Sequence, residues 1–347
     1  MDSRKIYAEN PIVEQWRLIS KFTYIDNITV FQSDLKISCT DEVKEFISGC
    51  LNQSYSYFNI ADKASLDIKP PLVYYGAINL LAGVYALLTG KKPPVKTHGI
   101  SVLEDSIKYL KGTRNISESI IRLNSPDNGA ILFFHNNLTD INVMNLYSGS
   151  EWNIKELLSS IPDLYYDFRN VFPSSNIYLI PLQRMKTREG IIERIEKVNF
   201  KNEDQIFRDL KSVTNFEKVY LEPQVTKKYV ILRQRMTSQI DLGIYSLPGG
   251  KFLQLPHTKN GQQNNTTQLI YLLMGLFFLG YLSRYKPEVW NNFIRTDATG
   301  EKYIFERLLD VAIRFFPNLV INLIYKSNIQ FSNDLDSIGN VEESSVI

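Results

Sequence analysis

The sequence predicts an α+β protein that is predominantly helical, with a helical bundle core built from both ends of the chain and a mixed α/β middle region. Residues 72–88 and 268–282 are apolar on nearly all sides, as expected of helices buried in a core. Between them, short apolar runs bounded by glycine, proline and asparagine are typical of strands. We therefore expect the two apolar helices to pack together and the strand-rich middle to form an insertion or a cap.

The length of 347 residues fits two domains, or one large domain with an insertion. The change in pattern along the chain predicts four regions. They are a helical region over 1–120, a mixed region over 121–262, a helical region over 263–330 that packs on the first, and a disordered acidic tail over 331–347.

Helical periodicity predicts the individual elements of the two end regions. Thr40 or Asp41 caps one helix, Pro70 and Pro71 open another, and Gly90 ends it. Pro317 leaves open whether the last segment is one helix or two. The predicted helices are 9–20, 41–60, 72–88, 101–111, 154–161, 202–212, 268–285 and 301–327.

Strands are predicted in the middle region. Asp127-Asn128-Gly129 forms a turn before the first of them, and Pro248-Gly249-Gly250 is the turn of a hairpin. The predicted strands are 130–135, 175–185, 227–235 and the two arms of that hairpin.

Charge and cysteine content exclude several classes of protein. Lysine and arginine number 39 against 37 aspartates and glutamates, so the net charge of +2 creates no general attraction to nucleic acid or anionic lipid. The two cysteines, Cys39 and Cys50, are too few for a disulfide framework and are expected to be reduced. No signal peptide is expected, and the apolar stretches suit buried helices better than membrane spans. The sequence thus predicts a cytoplasmic protein without membrane contact.

Catalytic motifs are scarce. The three histidines, His98, His135 and His257, have no second ligand at a metal-binding spacing. A nucleophile elbow and a phosphate-binding P-loop are both missing from the sequence. We therefore predict neither a metal nor a cofactor.

A carboxylate–lysine nuclease is a further alternative. It would place an acid at the start of one strand and an acid-x-Lys motif on the next. Asp241 with Lys251, or Glu222 with Lys227 and Lys228, can be fitted to that pattern. Exposed charges at strand ends explain the same residues without any chemistry.

Four residues are candidate binding groups. Asn79 lies within an apolar helix and needs a hydrogen-bond partner, either a neighbouring helix or a ligand. Arg284 and Tyr285 end the second apolar helix, where an arginine also interacts favourably with the last carbonyls. His98, in a loop before a glycine, is either a hydrogen-bonded anchor or a general base, and it is the only catalytic candidate.

Several segments resemble the bacterial YaaC-like protein family. They are IKPPLVYYGAINLLAGVYALLTG with KTHGIS (68–101), IPDL (161–164), LIYLLMGLFFLGYLSRYKPEVW (269–290) and FPNLVINLI (316–324). Their order and spacing agree with the family as well as their residues. Because the family has no assigned activity, the resemblance implies membership without a mechanism.

The first of these segments also resembles the core of HEPN-type helical domains, through Tyr74-Tyr75, Gly90 and Lys96-Thr97-His98. That resemblance implies a small helical bundle, often dimeric, and by analogy a role in antiviral defence. Some HEPN proteins are ribonucleases in which four to six residues separate an arginine from the histidine that follows it. No arginine lies four to seven residues before any histidine here, and Lys91 and Lys92 precede His98 instead. The resemblance therefore implies a fold rather than the nuclease activity.

Two functions follow as expectations. The first is a non-catalytic binding or interaction module that recognises a nucleotide, a nucleic-acid end or a partner protein. We expect such a module to form a homodimer through the helical core. The second is a nuclease or nucleotide-processing enzyme of phage defence that uses His98.

Overall fold

The computed structural model describes residues 3–124, 129–139, 146–187, 190–197, 202–235, 238, 240–259 and 262–333. Within these ranges the chain is an α+β protein that is predominantly helical, which confirms the predicted class. The helices are α1 (Pro11–Ser20), α2 (Ile25–Asp34), α3 (Asp41–Lys63), α4 (Lys69–Thr89), α5 (Ala130–Leu138), α6 (Ile154–Leu158), α7 (Tyr165–Val171), α8 (Glu203–Ser212), α9 (Phe216–Val219), α10 (Gln268–Tyr285), α11 (Pro287–Thr296) and α12 (Glu301–Tyr325).

The strands form small sheets that lie mostly in the middle of the chain. They are β1 (Ser3–Tyr7), β2 (Ile100–Val102), β3 (Ile120–Leu123), β4 (Glu151–Asn153), β5 (Leu179–Thr187), β6 (Gly190–Glu196), β7 (Gln224–Val225), β8 (Tyr229–Arg233), β9 (Gly243–Tyr245), β10 (Lys251–Gln254), β11 (His257–Lys259), β12 (Gln262–Asn264) and β13 (Asn328–Ser332).

Helices α4 and α10 form the centre of the core, as the sequence predicts. Their backbones come close where Gly280 of α10 faces Pro71 and Tyr74 of α4. The rings of Tyr74 and Phe277 meet edge to face, with centroids 5.8 Å apart. Helix α12 packs against both helices, so elements from the two ends of the chain share one apolar core.

Local signals set the ends of these helices. The Thr40 side chain accepts a hydrogen bond from the Val43 N–H at the start of α3. Pro70 lies in the first turn of α4, where its missing N–H has no cost, and Gly90 ends that helix in the left-handed conformation with φ 70°. These caps confirm the predicted start of α3 and the predicted end of α4, whereas α3 continues to Lys63, past its predicted end at 60, and α4 begins at Lys69, before its predicted start at 72.

The largest sheet has six antiparallel strands in the order β7-β8-β6-β5-β10-β9. Helices α8 and α9 contribute Ile206, Leu210 and Phe216 to a second apolar cluster on this sheet. Strands β9 and β10 form the predicted hairpin, in which the Gly249 N–H donates to the Ser246 carbonyl. By contrast, residues 130–138 and 146–172 of the middle region contribute to the main helical core.

The two ends of the described chain meet in a parallel pair. Strand β1 pairs with β13, with Ser3 opposite Asn328 and Tyr7 opposite Ser332. The pairing continues through the Ala8 N–H, which donates to the Ser332 carbonyl at 2.8 Å. Nothing in the local patterns predicted these two strands.

Two predicted elements are wrong in type. Residues 130–135 form the start of helix α5 and not a strand. The prediction failed because a short apolar run has no periodicity that distinguishes a buried helix from a buried strand. Residues 101–111 contain strand β2 and a 3₁₀ turn at Glu104–Ser106 in place of a helix.

Other differences concern the boundaries. Helix α12 continues through Pro317, so the last helical segment is one helix. The predicted tail begins inside β13, and its residues after 333 lie outside the described ranges, as do Asp127 and Asn128 of the predicted turn.

Two of the described helices, α4 and α12, are long and apolar enough to cross a membrane by length and composition alone. In each, 67% of the most apolar window is buried inside the protein. Core helices of soluble proteins meet the same criterion, so their apolarity is explained by packing.

Candidate functional site

The Arg284 guanidinium lies at the C-terminal end of α10 and is only partly satisfied. Its Nε donates to the Gly280 carbonyl at 2.8 Å, and its Nη1 donates to the Tyr75 hydroxyl. Neither acceptor carries a charge. Its Nη2 is buried and has no hydrogen-bond partner among the described residues. The side chain therefore has an unused pair of N–H donors.

Two tyrosine rings hold this guanidinium in place. Its Cζ lies 5.0 Å from the ring centroid of Tyr75 and 5.0 Å from that of Tyr285. Both distances fall within the range of cation–π attraction. Tyr285 is 59% exposed, so the ring that covers this side of the guanidinium faces solvent.

His98 lies beside the same helices. Its Nδ1 shares a hydrogen bond of 2.7 Å with the Tyr74 hydroxyl, and its ring packs against Phe277 with centroids 5.5 Å apart. Burial, and then the positive charge of Arg284, lower the pKa of His98 below its ordinary value. His98 is therefore neutral at physiological pH and can both donate and accept a hydrogen bond.

The glycine after His98 fixes the position of the loop. Gly99 has φ 69°, and a Cβ atom built on it would lie 2.5 Å from the Cα of Gly129. Only glycine allows this approach. The backbone at Gly129 and at the start of α5 thus supports the loop that carries His98.

Asn79 lies one turn beyond Tyr75 on α4 and contacts a different neighbour. Its side-chain amide donates to Gln53 of α3 at 3.3 Å. This is a hydrogen bond to a neighbouring helix, the structural alternative for Asn79. One turn after Gln53 on α3, the ring centroid of Tyr57 lies 6.3 Å from that of Tyr75.

The structure thus gathers His98, Arg284 and Tyr285 around the start of α4. Sequence reasoning missed Phe277 and named Tyr74 and Tyr75 only through the HEPN-like resemblance. Tyrosine hydroxyls on an otherwise apolar helix were the available signal, because a buried hydroxyl needs a polar partner.

Of the two carboxylate–lysine combinations, the structure brings Asp241 and Lys251 into contact. Lys251 Nζ lies 2.8 Å from Asp241 Oδ1 and 2.5 Å from Glu193 Oε1. Tyr245 donates to Asp241 at 2.5 Å, and Tyr220 donates to Glu193. The ammonium is engaged by both carboxylates, which is typical of a structural ion network. Sequence reasoning missed Glu193.

The other carboxylate–lysine combination is not supported by burial. Glu222, Lys227 and Lys228 are all exposed, as expected of charges at strand ends. Within the described ranges, no group of three or more histidine, cysteine, aspartate or glutamate side chains is placed to hold a metal ion.

The other two histidines lie at the junction between the helical core and the strands. His257 Nε2 shares a hydrogen bond of 2.7 Å with Ser160, and His135 Nδ1 shares one of 2.8 Å with Thr266. The His257 ring stacks on Tyr178 at 3.6 Å. Burial lowers the pKa of His257 to about 3 and that of His135 to about 4. Both are neutral structural groups.

Comparison with known proteins gives one match. A family described as YaaC-like protein matches residues 19–324 of the chain. No curated protein and no solved structure matches it. The match covers α4, His98 and Arg284, and it extends through nearly the whole of α12. The chain therefore belongs to the YaaC-like protein family.

Proposed function

We propose that this protein is a non-catalytic binding or interaction module that recognises an anionic group, a phosphate or a carboxylate, through Arg284. The observation that carries the proposal is the buried Nη2 of Arg284, which has no partner in the described part of the chain. An unpaired buried donor costs about 1–3 kcal/mol, and more when it is charged. A ligand oxygen would remove that cost.

The surroundings fit an anion attached to a planar or apolar body. A guanidinium presents its N–H groups as a fork that matches phosphate and carboxylate oxygens. The exposed ring of Tyr285 offers a stacking surface next to it. His98 is neutral and half-buried, so it offers a hydrogen bond to another part of the ligand, while the charge that attracts the anion is that of Arg284.

Arg284→Ala is expected to abolish binding of a phosphate-bearing probe. Arg284→Lys is expected to weaken it about tenfold or more, because lysine keeps the charge and loses the fork. Isothermal titration with inorganic phosphate and with a 5′-phosphorylated oligoadenylate provides the measurement. Arg208→Ala is the matched control, since Arg208 is an exposed arginine on α8. Equal binding by the Arg284 and Arg208 variants would refute the proposal.

A second candidate function is the HEPN-like nuclease, and one observation favours it. Arg284 of α10 lies near enough to the loop of His98 for its positive charge to lower the pKa of His98. His98 bonds to Tyr74 and Arg284 to the adjacent Tyr75, and this shared neighbourhood supports an arginine–histidine site although the chain lacks the sequential pattern. The HEPN-like fold itself remains a prediction.

His98→Ala separates an anchor from a catalyst. If His98 is an anchor, the variant loses about 2 kcal/mol or more of unfolding free energy, because the buried Tyr74 hydroxyl loses its partner. Thermal unfolding measures the loss of stability, and ribonuclease assays on the same preparations measure the loss of activity, so together they distinguish the two roles of His98. Tyr74→Phe combined with His98→Ala should recover part of the loss. Cleavage by the native protein that disappears in a fully stable His98→Ala variant would instead establish the nuclease.

The cellular setting belongs to the same proposal. A cytoplasmic location is supported by the burial of the apolar helices within the protein. From the HEPN-like resemblance we extend the proposal to homodimer formation through the helical core and to a role in bacterial defence.

A further inference from the structure

A cleft of about 540 Å³ lies between α1 and α3, away from Arg284. Trp16, Leu51, Phe58 and Ile313 line its apolar interior, and Trp16 packs on Phe58 with ring centroids 5.3 Å apart. This volume falls within the range of about 300–1,000 Å³ that ligand sites occupy.

The rim of the cleft exposes large apolar side chains. Val13 is 61% exposed, Tyr24 66% and Tyr55 50%. Clustered exposure of this kind marks interaction surfaces in soluble proteins, whereas single exposed apolar residues need no explanation. Tyr55 also meets Trp16 edge to face at 5.4 Å, so its ring forms part of the wall.

The shape of the cleft favours a helix as its occupant. Its two walls are the helices α1 and α3. They run antiparallel, because Trp16 contacts Tyr55 whereas the later Thr23 accepts a hydrogen bond from the earlier Ser48. Asn52 and Asp62, which line its two ends, are ten residues apart on α3, or about 15 Å along the axis. A helix of about three turns matches this length and presents apolar anchors at i, i+3, i+4 and i+7.

Charge selects the kind of helix. Arg17 is already paired with Glu14 at 2.6 Å. Asp62 is exposed and forms no ion pair with the described residues, so the free charge lining the cleft is negative. The chain's own residues 334–347 carry four carboxylates and no lysine or arginine. Like charge disfavours that segment as the occupant.

We propose that this cleft binds an amphipathic helix of a partner protein, with aliphatic side chains on Trp16 and Phe58 and a lysine or arginine against Asp62. The proposal is independent of the function assigned to Arg284. It places a protein-docking surface on the N-terminal helices and an anion site on α10.

The test uses the full-length protein and two fluorescein-labelled helical peptides with leucine on one face. One peptide carries lysine on its other face, and the second carries glutamate there. Fluorescence anisotropy is expected to give tighter binding of the lysine peptide. Tyr55→Ala is expected to weaken this binding about tenfold, through lost apolar contact.

Asp62→Lys is expected to weaken binding of the lysine peptide about tenfold and to strengthen binding of the glutamate peptide, because it reverses the charge at that end of the cleft. Asp67→Lys is the matched control, since Asp67 is an exposed acid just after α3 and outside the cleft. Equal affinity for the two peptides, or equal effects of the two charge reversals, would overturn the proposal. A dimer in light scattering that Tyr55→Ala converts to monomer would also overturn it, since a second copy would then be the occupant.

Discussion

Lys251→Met is expected to lower the free energy of unfolding by about 3–5 kcal/mol, the cost of breaking a buried ion pair from one side. Only 12% of the Lys251 side chain is exposed, and the Glu193 side chain beside it is 7% exposed. Methionine fills a similar volume and leaves the Glu193 carboxylate without its counter-charge. Urea unfolding followed by circular dichroism measures the loss.

The matched control is Lys302→Met, which removes an exposed pair with Glu306 on α12. Such surface pairs contribute less than about 1 kcal/mol. Adding Glu193→Gln to Lys251→Met should restore part of the lost stability, because the uncompensated charge disappears. A loss no larger than that of the control would show that the lysine is not held as a buried ion pair.

The same ion network has a pH dependence of known sign. Burial opposes ionisation of Asp241, but the hydrogen bond and charge of Lys251 outweigh it and keep the pKa of Asp241 below its ordinary value. A carboxyl with a lowered pKa stabilises the fold above its unfolded-state pKa. That contribution disappears as the pH falls through the folded value.

Acidification is expected to destabilise the protein earlier than its carboxylates alone would, because two buried histidines must stay neutral. An unfolded histidine titrates near a pKa of about 6.5. In the folded protein the pKa values are about 4 for His135 and about 3 for His257. The unfolded state therefore binds more protons below pH ~6.5, and each histidine then costs about 1.4 kcal/mol per pH unit.

The window between pH ~6.5 and ~5 is where histidines of the unfolded chain take up protons, and it lies above the ordinary pKa values of aspartate and glutamate. Across that window the contribution of these two histidines to the slope should rise from about one proton at pH ~6.5 towards two near pH ~5, and His98, whose pKa is also lowered, adds to it. His257→Asn and His135→Asn should each reduce the slope by about one proton. A flat profile, or a slope that neither substitution changes, would show that the histidines are hydrated in the folded state.

The sequence was most informative where apolar residues cover a helix on every side. Helices α4 and α10 could be predicted as core partners because residues such as Leu80 and Leu276 leave neither helix a polar side to face water, and packing the two together is the simplest way to bury both. Thr40 and Gly90 then placed the helix ends. These are local signals of known physical origin.

Short apolar segments were less informative. The run at 130–135 is rich in phenylalanine and isoleucine, which suits a strand, yet contacts with α10 and α4 make it the helix α5. Strands β1 and β13 depend on a partner more than three hundred residues away, as the pairing of Ser3 with Asn328 shows. No local pattern encodes such a partner.

For the site, sequence reasoning named His98 and Arg284 separately, and only the fold shows that they are close. The pairing of Lys251 with Glu193 was out of reach for the same reason, since β5 lies between their strands. Asn79 was correctly identified as needing a partner. Its partner, Gln53, lies on a helix whose facing surface could not be assigned from periodicity alone.

The sharing of one core by α4 and α10 affects how the chain is made. Residues 90–267 separate the two helices, and ribosomes add about 5–20 residues per second, so α4 waits roughly 10–40 s for its partner. Throughout that interval its apolar surface has no α10 or α12 to cover it. The nascent chain therefore presents a long hydrophobic helix to chaperones, and folding of the core is completed only after α10 and α12 have left the ribosome.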